Sequence, residues 1–208
     1  MKVTFFKNLI ASHLQNNLWL YVLSAICLCT GIVLGVYTVK YMSGFEKSDL
    51  LNYLSSFMKN YNSQTINYNQ LFLETAKNNI PILLIVWFLG LTMIGIPIIL
   101  VLDVIKGFTM GFTVTFFVNG MGFKGIWMAL LSVIPQNIIY IPCIIIGSVV
   151  AMEFSLMLIK SNGKKHWTTG ISSRIMSYSI VFIIIAACMF VGLSFETYIT
   201  PNIIKAIA

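Results

Sequence analysis

Residues 125–152 read GIWMALLSVIPQNIIYIPCIIIGSVVAM, and this stretch decides the fold. Between Lys124 and Glu153 it carries no charged side chain, and it is longer than one crossing of a hydrocarbon core of about 30 Å requires. Pro135-Gln136-Asn137 interrupts it, and Pro142 follows seven residues after Pro135. Prolines so spaced return to roughly one helix face after two turns. The side chains of Gln136 and Asn137 are costly in hydrocarbon unless they are hydrogen-bonded inside a bundle. Broken helices of this kind line substrate sites in transporters, and they also act as polar joints in proteins that transport nothing. Both readings stand on these residues.

Four more charge-free runs lie between Lys7 and Lys40, Lys77 and Asp103, Lys106 and Lys124, and Arg174 and Glu196. In lipid every backbone polar group must be paired within the protein, so apolar runs of this length read as spanning helices. The chain is 58% hydrophobic and 9% charged, whereas a soluble domain carries about 25% charged residues. The expected fold is an all-α, polytopic integral membrane helix bundle, a single membrane domain over residues 1–208. It has about five transmembrane segments, some kinked or broken at proline. Predicted spans are about 18–41, 80–102, 107–123, 125–152 and 175–195. Pro81 falls near the first turn of the second span, where proline is tolerated, and Pro97 falls well inside it, where it kinks the helix. Asp103 and Lys106 follow at i,i+3 spacing, close enough to pair at the membrane boundary. The run from Gly107 to Phe123 is at the lower limit for a crossing; a short packed helix is favoured over a re-entrant segment.

Small residues set the packing expectations. Gly31-x-x-x-Gly35 in the first span, and Gly107 and Gly111 in the third, place glycines four apart on one helix face, where another helix can approach closely. Generic packing and specific dimerisation both fit, so the partners admitted include a homo-oligomer as well as membrane lipid. Cys27, Cys29, Cys143 and Cys188 all sit inside apolar runs and read as small buried hydrophobes. The first run is too long for a secretory signal core, so it reads as an uncleaved first helix.

Residues 42–78 form a polar segment between spans one and two. Within it Leu50, Leu54, Phe57, Met58 and Tyr61 recur at helical spacing, with Ser48 as the expected N-cap. This is an amphipathic helix, lying in the membrane surface or presenting a docking face to a partner. The basic residues Lys160, Lys164, Lys165 and Arg174 cluster in one short loop, which puts the N-terminus in the cytoplasm, the C-terminus outside and the amphipathic segment on the extracytoplasmic face. The net charge of +7 is spread singly beside apolar runs, so it reads as lipid head-group contact and not as a nucleic-acid surface.

No reaction constellation is found. His13 and His166 are the only histidines, and H-E-x-x-H, G-x-S-x-G and G-x-x-x-x-G-K-[ST] are all missing. Asp103 and Glu153 read as structural or boundary carboxylates, with a proton relay through Glu153 the lesser alternative. An enzyme is not expected, and neither a cofactor nor a metal is implied.

Several strings resemble one family. They are Trp87-Phe88-Leu89-Gly90, Ile94-Gly95-Ile96-Pro97, Lys106-Gly107, Gly111-Phe112-Thr113-Val114, Val118-Asn119, Met121-Gly122 and Lys124-Gly125. The most specific is Ser132-Val133-Ile134-Pro135-Gln136-Asn137 with Ile141-Pro142, and Phe195-Glu196, Tyr198 and Pro201 close the series. Together they resemble the stage II sporulation protein M family of endospore-forming bacteria, over essentially the whole chain. The resemblance implies a scaffold in the mother-cell membrane at the sporulation septum, needed for engulfment. It also implies two peptidoglycan-degrading partners, stage II sporulation proteins D and P. The runner-up reading is a permease-like transporter or channel component built on the broken-helix motif.

Overall fold

The computed structural model describes residues 14–63, 67–161, 171–198 and 200–201, and among these there is no strand. In chain order the helices are α1 (Leu18–Tyr41), α2 (Gly44–Ser63), α3 (Tyr68–Gly90), α4 (Gly95–Met121) and α5 (Phe123–Met128). A π-helical turn (Ala129–Val133) then joins α5 to α6 (Ile134–Ser161), and α7 (Ile171–Tyr198) follows. Four stretches are long and apolar enough to cross a membrane: Leu18–Tyr41, Tyr68–Gly90, Gly95–Lys160 and Ser172–Tyr198. The third holds two long rods, α4 and α5–α6, which fold back on each other at Gly122 (φ 58°). That left-handed conformation is where glycine has no steric cost. The fold is therefore an all-α bundle of membrane-length helices.

Neighbouring contacts fix the direction of each rod. Ser24 meets Asp103, Leu28 meets Gly107 and Ile32 meets Gly111, a constant separation of 79 residues, so α1 and α4 run parallel. Their contact is the most extensive in the bundle. Gly31 and Gly35 face Gly107 and Gly111 across it, and a Cβ on any of the four would fall onto a backbone oxygen of the facing helix. The buried stripe of α1 thus sets the small residues Ser24, Gly31 and Gly35 among the apolar Leu20, Leu28 and Val39, so that close approach and apolar packing share one face. Its other faces are apolar and exposed, Trp19 at 75%, as lipid contact allows. α6 and α7 run antiparallel, with Phe154 stacked on Tyr178 at 4.6 Å near one end and Tyr140 beside Glu196 near the other. The core sits where α3, α4, α6 and α7 meet, around Val86, Ile99, Tyr140, Val149, Met152, Tyr178 and Leu193.

Several boundaries differ from the sequence reading. Residues 80–102 are not one kinked span: α3 ends at Gly90 and α4 begins at Gly95. Pro97 has no N–H and its ring would clash with the Met93 carbonyl of a continuing helix, so the chain breaks upstream and Pro97 lies in the first turn of α4. Gly95 permits the break, since a Cβ there would overlap the Leu89 carbonyl. The Ser155 hydroxyl of α6 donates to the Thr92 carbonyl in this turn at 2.7 Å. Residues 107–123 are accordingly no separate span; most of that run is the C-terminal part of α4. Pro81 lies inside α3, well beyond its first turn, because α3 already starts at Tyr68.

The segment 42–78 holds α2 and the opening turns of α3. α2 is capped by Ser43, not Ser48: the Glu46 N–H donates to Ser43 Oγ (3.4 Å) while the Ser43 N–H donates to Glu46 Oε2 (3.2 Å), a reciprocal capping box. Leu50 is half-buried, and the side chains of Leu54, Phe57, Met58 and Tyr61 lie outside the described residues, as do Lys164, Lys165 and His166.

Candidate functional site

Inside the bundle a cavity of about 450 Å³ opens among α3, α4, the π-helical turn, α6 and α7. Its polar lining includes Asn78 and Asn79 of α3, Lys106, Thr109 and Thr113 of α4, Gln136, Asn137 and Tyr140 of α6, and Glu196 of α7. The register with α1 sets Lys106 level with Cys27, inside the charge-free run that ends at Lys40. Lys106 is therefore level with an apolar, charge-free part of α1, and an ionisable side chain beside such a stretch is by default a functional candidate.

The hydrogen bonds run as a chain. Lys106 Nζ donates to Asn79 Oδ1 at 3.0 Å and lies 5.8 Å from the centroid of the Tyr140 ring, within cation–π range. The Tyr140 hydroxyl donates to Glu196 Oε2 at 2.8 Å. Tyr140 is itself held in place by α7, where Gly192 leaves room for its ring: a Cβ there would come within 2.8 Å of Tyr140 Cε1. Ammonium and carboxylate are thus joined through a tyrosine, and among the described residues no direct ion pair links them. Asn79 Nδ2 donates to the Thr75 carbonyl (3.1 Å) and Asn137 Nδ2 to the Val133 carbonyl (2.7 Å). Gln136 Oε1 is buried and has no hydrogen-bond partner among the described residues.

Local sequence explains the shape. Pro135 cannot donate to a carbonyl four residues back, so the ladder slips by one residue just before it: the Ile134 N–H reaches back five residues to the Ala129 carbonyl. The resulting π-helical turn re-aims the residues that follow, and Gln136, Asn137 and Tyr140 all line the cavity. Pro142 lies further along, inside α6.

Asp103 does not pair with Lys106; both lie within α4 and point to different places. Asp103 is fully buried and accepts hydrogen bonds from Ser24 (2.6 Å) and Ser148 (2.7 Å), tying α1, α4 and α6 together. Three residues further on, Lys106 faces the cavity. Glu196, which the hydropathy assigns to a tail, lies in the last turns of α7. Sequence reasoning did not single out Asn78, Asn79 or Tyr140. One signal was available for Tyr140: it is four residues after Gln136, hence on the same helix face.

Fold and cavity together define a polytopic helical membrane protein with a partly open internal cavity that carries ionisable and amide side chains. The family model described as Stage II sporulation protein M matches residues 24–201. The chain belongs to that family and is a sporulation membrane protein. No curated protein and no solved structure matches it.

Proposed function

We propose that this protein is a non-enzymatic scaffold of the engulfment machinery, holding the peptidoglycan-degrading stage II sporulation proteins D and P at the septal membrane on the mother-cell side. The family supports the setting. The observation that carries the docking role is the placement of α2, a helix of 20 residues between two membrane-length helices, amphipathic by sequence. It reaches the bundle where Leu51 lies against Gly120, near the end of α4, and Phe45 at its start is 75% exposed. With the basic loop inside, this end of the bundle faces the wall, where such partners act. The glycine faces are occupied by α1 and α4 themselves, so partner contacts are assigned to α2 and the outward apolar faces.

The test is a pull-down of the tagged full-length chain from sporulating cells in mild detergent. Both wall enzymes are expected to co-purify, and Leu54→Lys with Phe57→Lys is expected to weaken their retention while membrane insertion persists. Recovery of neither enzyme with the intact chain overturns the reading. The polar cavity favours a second reading, a permease-like path through Gln136 and Asn137. It requires solute flux in reconstituted vesicles that is lost when both residues become Leu.

A further inference from the structure

The cavity offers charges of both signs. Lys106 contributes an ammonium and Glu196 a carboxylate, and Tyr140 keeps them bridged instead of letting them collapse into one contact pair. At low dielectric two free opposite charges are driven together unless something else holds each of them. Among the described residues each makes a single hydrogen bond, Lys106 to Asn79 and Glu196 from Tyr140, so each keeps capacity toward the cavity. Gln136, one turn before Tyr140 on the same face, adds a buried amide oxygen that has no donor among the described residues. Three unsatisfied demands therefore meet in one space: an anion for Lys106, and N–H donors for Glu196 and for Gln136.

We infer that this cavity binds a small zwitterion, whose primary ammonium donates to Glu196 and Gln136 and whose oxyanion is held by Lys106. A ligand of one sign would set a like charge against either Lys106 or Glu196 in a medium that screens poorly. A quaternary ammonium would leave Glu196 and Gln136 without donors. The volume lies within the usual range for small-molecule sites. Two sources supply this chemistry, the phosphoethanolamine head group of a lipid and a free amino acid. The exposed lining residues Asn78, Ile105 and Thr109 put the mouth on the flank of the bundle between α3 and α4, where a lipid head group could enter from the side. The inference is independent of scaffolding, and its test does not involve the wall enzymes.

The experiment uses the full-length chain in two arms. In the first, native mass spectrometry follows lipids retained after exchange into equal amounts of phosphatidylethanolamine, phosphatidylcholine and phosphatidylglycerol. In the second, the protein sits in phosphatidylcholine nanodiscs and saturable binding of radiolabelled glycine is measured. A lipid source gives roughly tenfold preference for phosphatidylethanolamine, the scale of one charge-assisted hydrogen bond, and a blank second arm. A soluble source gives saturable glycine binding and no head-group preference. Either result is expected to fall by about tenfold in Glu196→Gln and in Lys106→Met. The proposal is overturned if the intact chain shows neither preference nor saturable binding, if phosphatidylglycerol is retained best, or if both folded variants bind as the intact chain does. Should a variant fail to fold, the head-group and glycine comparison on the intact chain decides alone.

Discussion

Asp103 and Lys106 show how much a single turn of helix can separate. At i,i+3 they are near enough to pair, yet α4 is packed on two sides and each residue answers to a different neighbour. Asp103 is enclosed by two serine hydroxyls from α1 and α6, and Lys106 by Asn79 and the Tyr140 ring. Spacing along one helix gives reach, and the surrounding helices choose the partner. Magnitudes separate the two serine bonds from the carboxylate that receives them. Interhelical hydrogen bonds in membranes average about 0.6 kcal/mol in double-mutant cycles, so Ser24→Ala is expected to cost roughly that much. Asp103→Ala strips two buried hydroxyls of their acceptor and is expected to cost about 1–3 kcal/mol more, while Asp103→Asn keeps an acceptor and falls between. Thermal unfolding in detergent measures all three; equal losses for Ser24→Ala and Asp103→Ala would remove the clamp from the account.

For the elements, hydropathy found the apolar material but misplaced a cut. Leu91, Thr92, Met93 and Ile94 are as apolar as the helices they separate, so no polar loop announces the turn between α3 and α4. The break is written instead in Gly95 and Pro97, whose effect depends on which carbonyl lies four residues back. Gly95→Ala must displace the Leu89 carbonyl, and about 1–3 kcal/mol of destabilisation is expected, the usual cost of overpacking. Gly107→Leu is expected to do more, because it drives a side chain into the backbone of α1 at Leu28 and Ile32. A disulfide-trapping pair placed across α1 and α4 would read the separation, and unchanged trapping in Gly107→Leu would contradict the close-packed face. On the outer surface, Ile183 near the middle of α7 is 67% exposed. If that face meets lipid, Ile183→Lys costs about 2.5–3.5 kcal/mol of insertion, which a translocon insertion assay reports; a neutral result would mean the face is covered by protein or water.

The whole molecule joins two kinds of polar site that composition cannot tell apart. One is closed: Ser24, Asp103 and Ser148 satisfy one another and lock three helices. The other is open: Lys106, Gln136 and Glu196 line a space with unused hydrogen-bonding capacity. Substituting the open site is expected to be milder for folding than substituting the closed one. Glu196→Gln keeps an acceptor for the Tyr140 hydroxyl and is expected to shift the melting temperature less than Asp103→Ala in the same detergent. A larger shift for Glu196→Gln would make the cavity a structural joint.

What the sequence determined by itself was the solvent, the all-helical class and the family, because lipid demands long uncharged helices and the motif around Pro135-Gln136-Asn137 is local. It could not say that Glu196 and Asn79 share a cavity with Gln136, or that Asp103 turns away from Lys106. Those facts depend on residues far apart in the chain being brought together by helix direction and register. The register is fixed by glycine faces meeting across α1 and α4, and that fit exists only once the helices have packed.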